Sequence, residues 1–330
     1  MNKKSKFIYL GIAVVILISM WSLFVNYFKY EGCREDGIIE MSVSNSKEKI
    51  VFHKCEGNSF FYKKSSIYIS NIDGSNVEML LSSKGKGIYT NPVFSPDQSK
   101  VLLVYKGKLS NWGTSHEDQI YELDLKTKKL SQVGSLTGIA GNIEDIAYSP
   151  EGTTIYFKNS INYSENGAWS EVPFVDLYSI NTNGSDIKRL TRFQRVGSGL
   201  SVSPDGSRLY TGKSYFDLKG SVLVDLIDQL KTSNESLNKE FWATTGNPIS
   251  DVFENHLIWI GGYGEYKGDE SIIYGIYSLD LKNNIAKEIS STSGYVSWPR
   301  FIDKKELVVV KNGGLWKLNL ETKEFIKIPL

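Results

Sequence analysis

Cysteine is nearly absent: Cys33 and Cys55 are the only two in 330 residues, and the three histidines, His53, His116 and His256, are scattered. None of these has the paired spacing of a structural zinc site, so neither metal nor a dense disulfide framework underlies the core. A surplus of one charge sign is missing too. Lysine plus arginine total 38 and aspartate plus glutamate 37, which removes the electrostatic argument for a nucleic-acid partner. No Gly-x-Ser-x-Gly elbow occurs, and Gly261-Gly262-Tyr263-Gly264 has no helix pattern after it to receive a phosphate. The motifs therefore call for no cofactor and name no catalytic residue.

Charge is also absent from Phe7 to Val25, where Phe-Ile-Tyr-Leu-Gly-Ile-Ala-Val-Val-Ile-Leu-Ile-Ser-Met-Trp-Ser-Leu-Phe-Val runs without interruption. As a helix this run spans roughly 28 Å, enough to cross a bilayer. Lys3, Lys4 and Lys6 precede it, whereas Lys29 and Arg34 are mixed with Glu31, Glu35 and Asp36. The positive-inside bias puts the N-terminus in the cytoplasm and the rest of the chain outside. Residues 1–28 are thus expected to be a cytoplasmic stub and single-pass transmembrane anchor. The rival is a cleaved signal peptide, but Ser19-Met20-Trp21 and Ser22-Leu23-Phe24 offer no small-x-small pair, and Tyr30-Glu31-Gly32 before Cys33 is no lipobox. On the outer side Cys33 and Cys55 are candidates for a disulfide, with two unpaired thiols as the alternative.

Proline is sparse, at eight residues, yet three of the eight recur in one phrase. Phe94-Ser95-Pro96-Asp97, Tyr148-Ser149-Pro150-Glu151 and Val202-Ser203-Pro204-Asp205 place Pro96, Pro150 and Pro204 at equal intervals of 54 residues. Serine first, proline second and glycine fourth, as in Ser203-Pro204-Asp205-Gly206, suit a type I turn. Turn acids commonly bond their own backbone, so Asp97, Glu151 and Asp205 are read as structural. A second phrase recurs at Ile67-Tyr68, Ile120-Tyr121, Leu177-Tyr178, Ile276-Tyr277 and Leu315-Trp316, each opening an alternating hairpin. Together the phrases define a unit of four strands, A to D. Six units fit, near 38–83, 91–134, 144–191, 199–243, 249–290 and 296–328. Such units bury their faces only against one another, and a closed ring of them leaves no long exposed edge. Blade four is irregular over Val222–Asn238, read as a strand and an irregular loop.

At these residues the chain resembles the TolB-like, or WD40-like, six-bladed β-propellers. The Pro-x-Phe-Ser-Pro-Asp pattern at Pro92–Lys100 and the Ile-Tyr hairpins carry the resemblance over residues 45–330, with 29–44 as linker and first strand. The expected fold is all-β, a six-bladed propeller of four-stranded antiparallel blades behind one transmembrane helix. The resemblance implies a non-enzymatic scaffold, on or beyond the membrane, that binds protein partners. No α/β domain like the one preceding the TolB propeller is recognisable here, so that protein's own partners do not carry over.

In such a blade the A–B and C–D turns share one rim, and the B–C and D–A connections share the other. The long insertions are B–C connections: Lys106–Gln119, Ser160–Phe174 and Gly262–Ser271. They carry Trp112, His116, Trp169, Tyr263 and Tyr266, to which the D–A side adds Asn91, Asp145, Asp251, Trp298 and Arg300 around the channel. Aromatic and charged side chains on loops of a rigid scaffold concentrate recognition. This rim is the expected binding face, with an envelope protein, peptide or glycan as partner. On the alternative reading the tryptophans cap the cores and the carboxylates solvate the loops. A second class of function, a lactonase-like metal-dependent hydrolase of the envelope, would hold its metal in the channel with Asn91, Glu144, Asp145 and Asp251.

Overall fold

The computed structural model describes residues 36–57, 64–83, 87–107, 118–136, 139, 141–163, 169–192, 194, 196–197, 199–212, 214–226, 251–263, 273–283 and 285–330. The segment expected to span a membrane, Phe7–Val25, lies outside them. Among the described residues no helix is long and apolar enough to cross a bilayer.

The strands form six four-stranded antiparallel sheets, each built from consecutive strands. Blade 1 holds β1 (Gly37–Val43), β2 (Lys49–Glu56), β3 (Lys64–Asn71) and β4 (Glu78–Ser83). Blade 2 holds β5 (Ile88–Phe94), β6 (Lys100–Lys106), β7 (Gln119–Asp124) and β8 (Leu130–Gln132). Blade 3 follows with β9 (Asn142–Tyr148), β10 (Thr154–Tyr163), β11 (Trp169–Asn181) and β12 (Lys188–Arg189). The short blade 4 has β13 (Ser201–Val202), β14 (Arg208–Thr211), β15 (Ser214–Asp217) and β16 (Val222–Asp225). Blade 5 has β17 (Asp251–Phe253), β18 (His256–Tyr263), β19 (Ile273–Asp280) and β20 (Ile285–Ser293). Blade 6 ends the ring with β21 (Val296–Phe301), β22 (Glu306–Lys311), β23 (Gly314–Asn319) and β24 (Phe325–Lys327). The first strands β1, β5, β9, β13, β17 and β21 neighbour one another in turn, and β21 returns to β1, so the A strands line a closed channel.

There is no single core. Six apolar clusters occupy the six junctions, such as Val51, Ile67, Val101 and Leu103 between blades 1 and 2, and Leu102, Val104, Ile155 and Phe157 between blades 2 and 3. This explains the unbroken apolar runs of the B strands. Val101, Leu102, Leu103 and Val104 are all buried because both faces of the sheet are covered.

The recurrent phrases form the expected turns, and the turns touch. Gln98, Gly152 and Gly206 each close a turn by donating from their backbone N–H to the carbonyl of Ser95, Ser149 or Ser203, at 2.8, 2.9 and 2.8 Å. All three have positive φ, 62°, 75° and 69°, which glycine adopts without strain. Pro96 packs beside Gly152, and Pro150 beside Gly206, so each repeat of the phrase is the seat of the next. Blade 1 builds the same turn from Ser44-Asn45-Ser46-Lys47, with Lys47 donating to the Ser44 carbonyl at 2.9 Å, although its sequence has no Ser-Pro.

Closure needs no exchanged strand. Ile38 N donates to Gly313 O at 2.9 Å, and Ile38, Met41 and Phe52 pack with Val308, Leu315 and Ile328 across the seam between blades 6 and 1. Gly74 lies against Ile328 and Pro329, repeating the contact between Gly184 and Gly134 at the junction of blades 2 and 3.

Three boundaries differ from expectation. Blade 4 ends at Asp225, not near 243, so the segment up to Asp251 is a D–A connection that joins blades 4 and 5. Its B–C connection is minimal, since Thr211 pairs directly with Ser214. The insertion expected over Ser160–Phe174 is largely strand: β10 and β11 run past β9 and pair as far as Tyr163 with Trp169. Alternation of polar residues with Ile161, Tyr163 and Phe174 was the available sign of that extension.

Candidate binding rim and channel wall

The antiparallel register places the functional rim. In blade 3 Ser160, near the end of β10, pairs with Asn142 at the start of β9, and in blade 1 Cys55 pairs with Gly37. The strand ends flanking each B–C connection therefore lie at the end where each A strand begins. The connections 57–63, 107–118, 164–168 and 264–272 all depart there, as does the D–A connection 226–250. Trp112, His116 and Tyr266 lie outside the described residues. Trp169 and Tyr263 stand at the ends of β11 and β18 that face this rim.

The channel-side residues are engaged in holding blades together. Backbone irregularities in the A strands fall at Ile38/Glu40, Thr90/Val93, Ile143/Ile146 and Ser297/Arg300. Such bulges re-aim side chains out of the ladder. Asn91, at φ 52°, donates its backbone N–H to Glu40 Oε2 of blade 1 at 2.5 Å and its Nδ2 to the Glu144 carbonyl of blade 3. Asp145 Oδ2 accepts from Gly199 N, ahead of blade 4, at 3.1 Å, and Asp251 Oδ2 accepts from Phe301 N of blade 6 at 2.9 Å. Trp298 holds φ 53° within its bulge, and the Arg300 guanidinium sits 5.4 Å from its ring centre.

Lys158, within β10, is fully buried behind this wall. Its ammonium donates to Asp145 Oδ2 at 2.7 Å and lies 3.4 Å from Glu144 Oε2. A buried charge is tolerated only when paired in this way. No feature of the β10 sequence announced it.

Two further groupings were not expected. Tyr89, Tyr105 and Tyr121 stand on adjacent strands of blade 2, with ring centres 5.1 to 6.1 Å apart. Burial pushes the Tyr89 hydroxyl up to about 12. Their spacing of 16 residues was the readable signal. Within blade 1, Ser65 Oγ lies 2.9 Å from His53 Nε2, and His53 Nδ1 lies 3.6 Å from Glu40 Oε2. That order resembles a nucleophile, a base and an orienting acid. Ser65 and His53 are only 1% and 2% exposed, and Glu40 already binds Asn91, so the chain of contacts is a closed structural link.

The four donors considered for a channel metal do not form a site. Among the described residues no group of three or more histidine, cysteine, aspartate or glutamate side chains could hold a metal ion. Glu144, Asp145 and Asp251 face Lys158 and backbone N–H groups instead.

Six consecutive four-stranded blades around a channel define the class: a six-bladed β-propeller. Its fold is TolB-like. TolB from Acinetobacter baumannii matches with a TM-score of 0.50 and 16% identity over 79% of this chain, which spans 58% of that protein's length. An oligogalacturonate lyase from Vibrio parahaemolyticus matches with a TM-score of 0.52 and 12% identity, covering 89% of this chain and 86% of that one. An acylaminoacyl peptidase from Pyrococcus horikoshii matches at 0.50 and 11% identity, covering 90% and 53%. No family model matches the sequence. A TolB, a lyase and a peptidase thus share the architecture, which carries no activity by itself.

Proposed function

We propose that this protein is a membrane-anchored, extracytoplasmic propeller that acts as a non-catalytic binding platform in the cell envelope. The partner, a protein, peptide or glycan, is taken on the rim from which the long connections leave. The observation that carries this reading is the use of the channel wall: Asn91, Asp145 and Asp251 bond neighbouring blades, which favours a scaffold over a channel hydrolase. The chemistry left for recognition lies in the rim connections with their aromatic residues. The anchor rests on the apolar run Phe7–Val25 and the lysines before it.

In-cell crosslinking of the full chain, followed by identification of the captured species, tests the platform. Trp112→Ala, Trp169→Ala and Tyr266→Ala together are expected to cut capture at least tenfold, while Asp73→Ala on the opposite rim leaves it unchanged. Capture that survives the triple substitution, or no reproducible species at all, would remove the rim as the binding face.

A further inference from the structure

In a closed propeller only the outer strand of each blade presents an unpaired edge, and keeping that strand short leaves little backbone for another chain to pair with. Here β4, β8, β12, β16 and β24 hold six, three, two, four and three residues. The outer strand of blade 5, β20, holds nine. Its rim half, Ser290-Ser291-Thr292-Ser293, contains neither a charge nor a proline, the residues that otherwise discourage an added strand. Ser290 is the register partner of Ile276, which packs toward blade 6, so Thr292 faces the same way.

On that face stands a cation with no counter-charge. Lys311 ends β22 of blade 6. Its ammonium donates to Thr292 Oγ1 at 2.5 Å and lies 4.3 Å from the ring centre of Phe325 and 5.8 Å from that of Trp316. Among the described residues no carboxylate pairs with it, and burial alone pushes it below the usual lysine value. A partly desolvated charge of this kind favours an anion brought from outside. A strand added along β20 would set the side chain opposite Thr292 on this same face, its Cβ about 4.5–5.5 Å from that of Thr292. A carboxylate at that position meets the Lys311 ammonium.

We propose that the outer edge of β20 takes an extended acidic peptide segment of a partner protein as a fifth strand of blade 5, with an aspartate or glutamate opposite Thr292 held by Lys311. This extends the platform reading above from the rim to the adjoining blade edge, and rests on it. Main-chain bonds to the edge would supply affinity, and the Lys311 contact would select the acid and fix the register. A second copy of this chain fits less well. The carboxylate that β20 itself carries, Glu288, pairs with Tyr277 on the face toward blade 4, because the register shifts between Ile276 and Tyr277. Two-fold pairing of β20 with itself would keep Glu288 on the face away from Lys311.

The purified full chain and a labelled peptide that alternates threonine and valine around one central glutamate provide the test. Fluorescence anisotropy is expected to show binding that weakens about tenfold when the glutamate is replaced by glutamine, and equally with Lys311→Met, the scale of one charge-assisted hydrogen bond. N-methylation along the peptide removes its main-chain donors, leaves the protein untouched, and is expected to abolish binding. Hydrogen exchange is expected to place the new amide protection at residues 290–293. No binding, equal affinity for the glutamate and glutamine peptides, binding that survives N-methylation, or protection confined to other strands would each overturn the inference. Protection of 290–293 that grows with protein concentration in the absence of peptide would overturn it in favour of a second copy. In-cell capture that depends on Trp112, Trp169 and Tyr266 but ignores Lys311→Met would overturn this site alone and leave the platform reading standing.

Discussion

Asp205 shows how much one turn residue contributes. Its carboxylate accepts from Ser203 Oγ at 2.6 Å and from Ser207 N at 3.1 Å, while Ser203 Oγ in turn accepts from Arg208 N at 2.9 Å. The Ser203 hydroxyl, and then the Ser207 backbone N–H, hold its acidity at about 2. Asp97 is lowered by the same arrangement with Ser95 and Ser99. Since the folded value lies below the unfolded value of about 3.9, the contribution is present above pH ~4 and is lost as pH falls toward ~2. Asp205→Asn is therefore expected to be less stable than the parent at pH 7, with the gap narrowing steadily between pH 4 and 2. Urea midpoints across that range check it; a gap that widens would contradict the assignment. These turns were legible in the sequence because their hydrogen bonds close within about five residues, so the residues that make them are written side by side.

The A strands and their bulges behave differently. Inter-blade links such as Asn91 to Glu40 and Asp145 to Gly199 join residues more than 50 positions apart, and Asn91 and Asp145 fall where the register of their own strands is interrupted. Lys158 holds one of these joints from inside β10. Lys158→Met removes the cation and leaves two carboxylates facing each other, at an expected cost of about 3–5 kcal/mol. Adding Asp145→Asn should recover part of that loss, because it removes one of the two uncompensated carboxylates and the repulsion between them. A double-mutant cycle by chemical denaturation measures the coupling, and an additive result would mean that Lys158 serves only as packing. Asn91, Asp145 and Asp251 could be assigned to the channel from strand order alone. Their use as ties between blades could not, since it depends on bulges that no residue pattern marks.

For the whole ring the seam between blades 6 and 1 is decisive. Ile328, close to the C-terminus, is 4% exposed and belongs to the same cluster as Ile38 and Phe52. A fraying tail would tolerate its truncation. Closure instead predicts that Ile328→Ala costs about 2–4 kcal/mol, as for other buried large-to-small changes. Thermal unfolding followed at the near-UV tyrosine and tryptophan bands tests this, and a change under ~0.5 kcal/mol would indicate an open ring.

By itself the sequence determined the number of blades, their strand order and the rim that bears the long connections. Those features follow from period-two burial and turn chemistry, which act between near neighbours. Tertiary structure alone decided that blade 4 stops at Asp225, that β10 and β11 extend as a paired hairpin, and that the channel carboxylates tie blades together. It also decided how the first blade meets the last, from Ile38 to Gly313. For the ties between blades and the seam the physical reason is closure: those contacts exist only once six sheets, separately too small to bury their own faces, have packed into a ring.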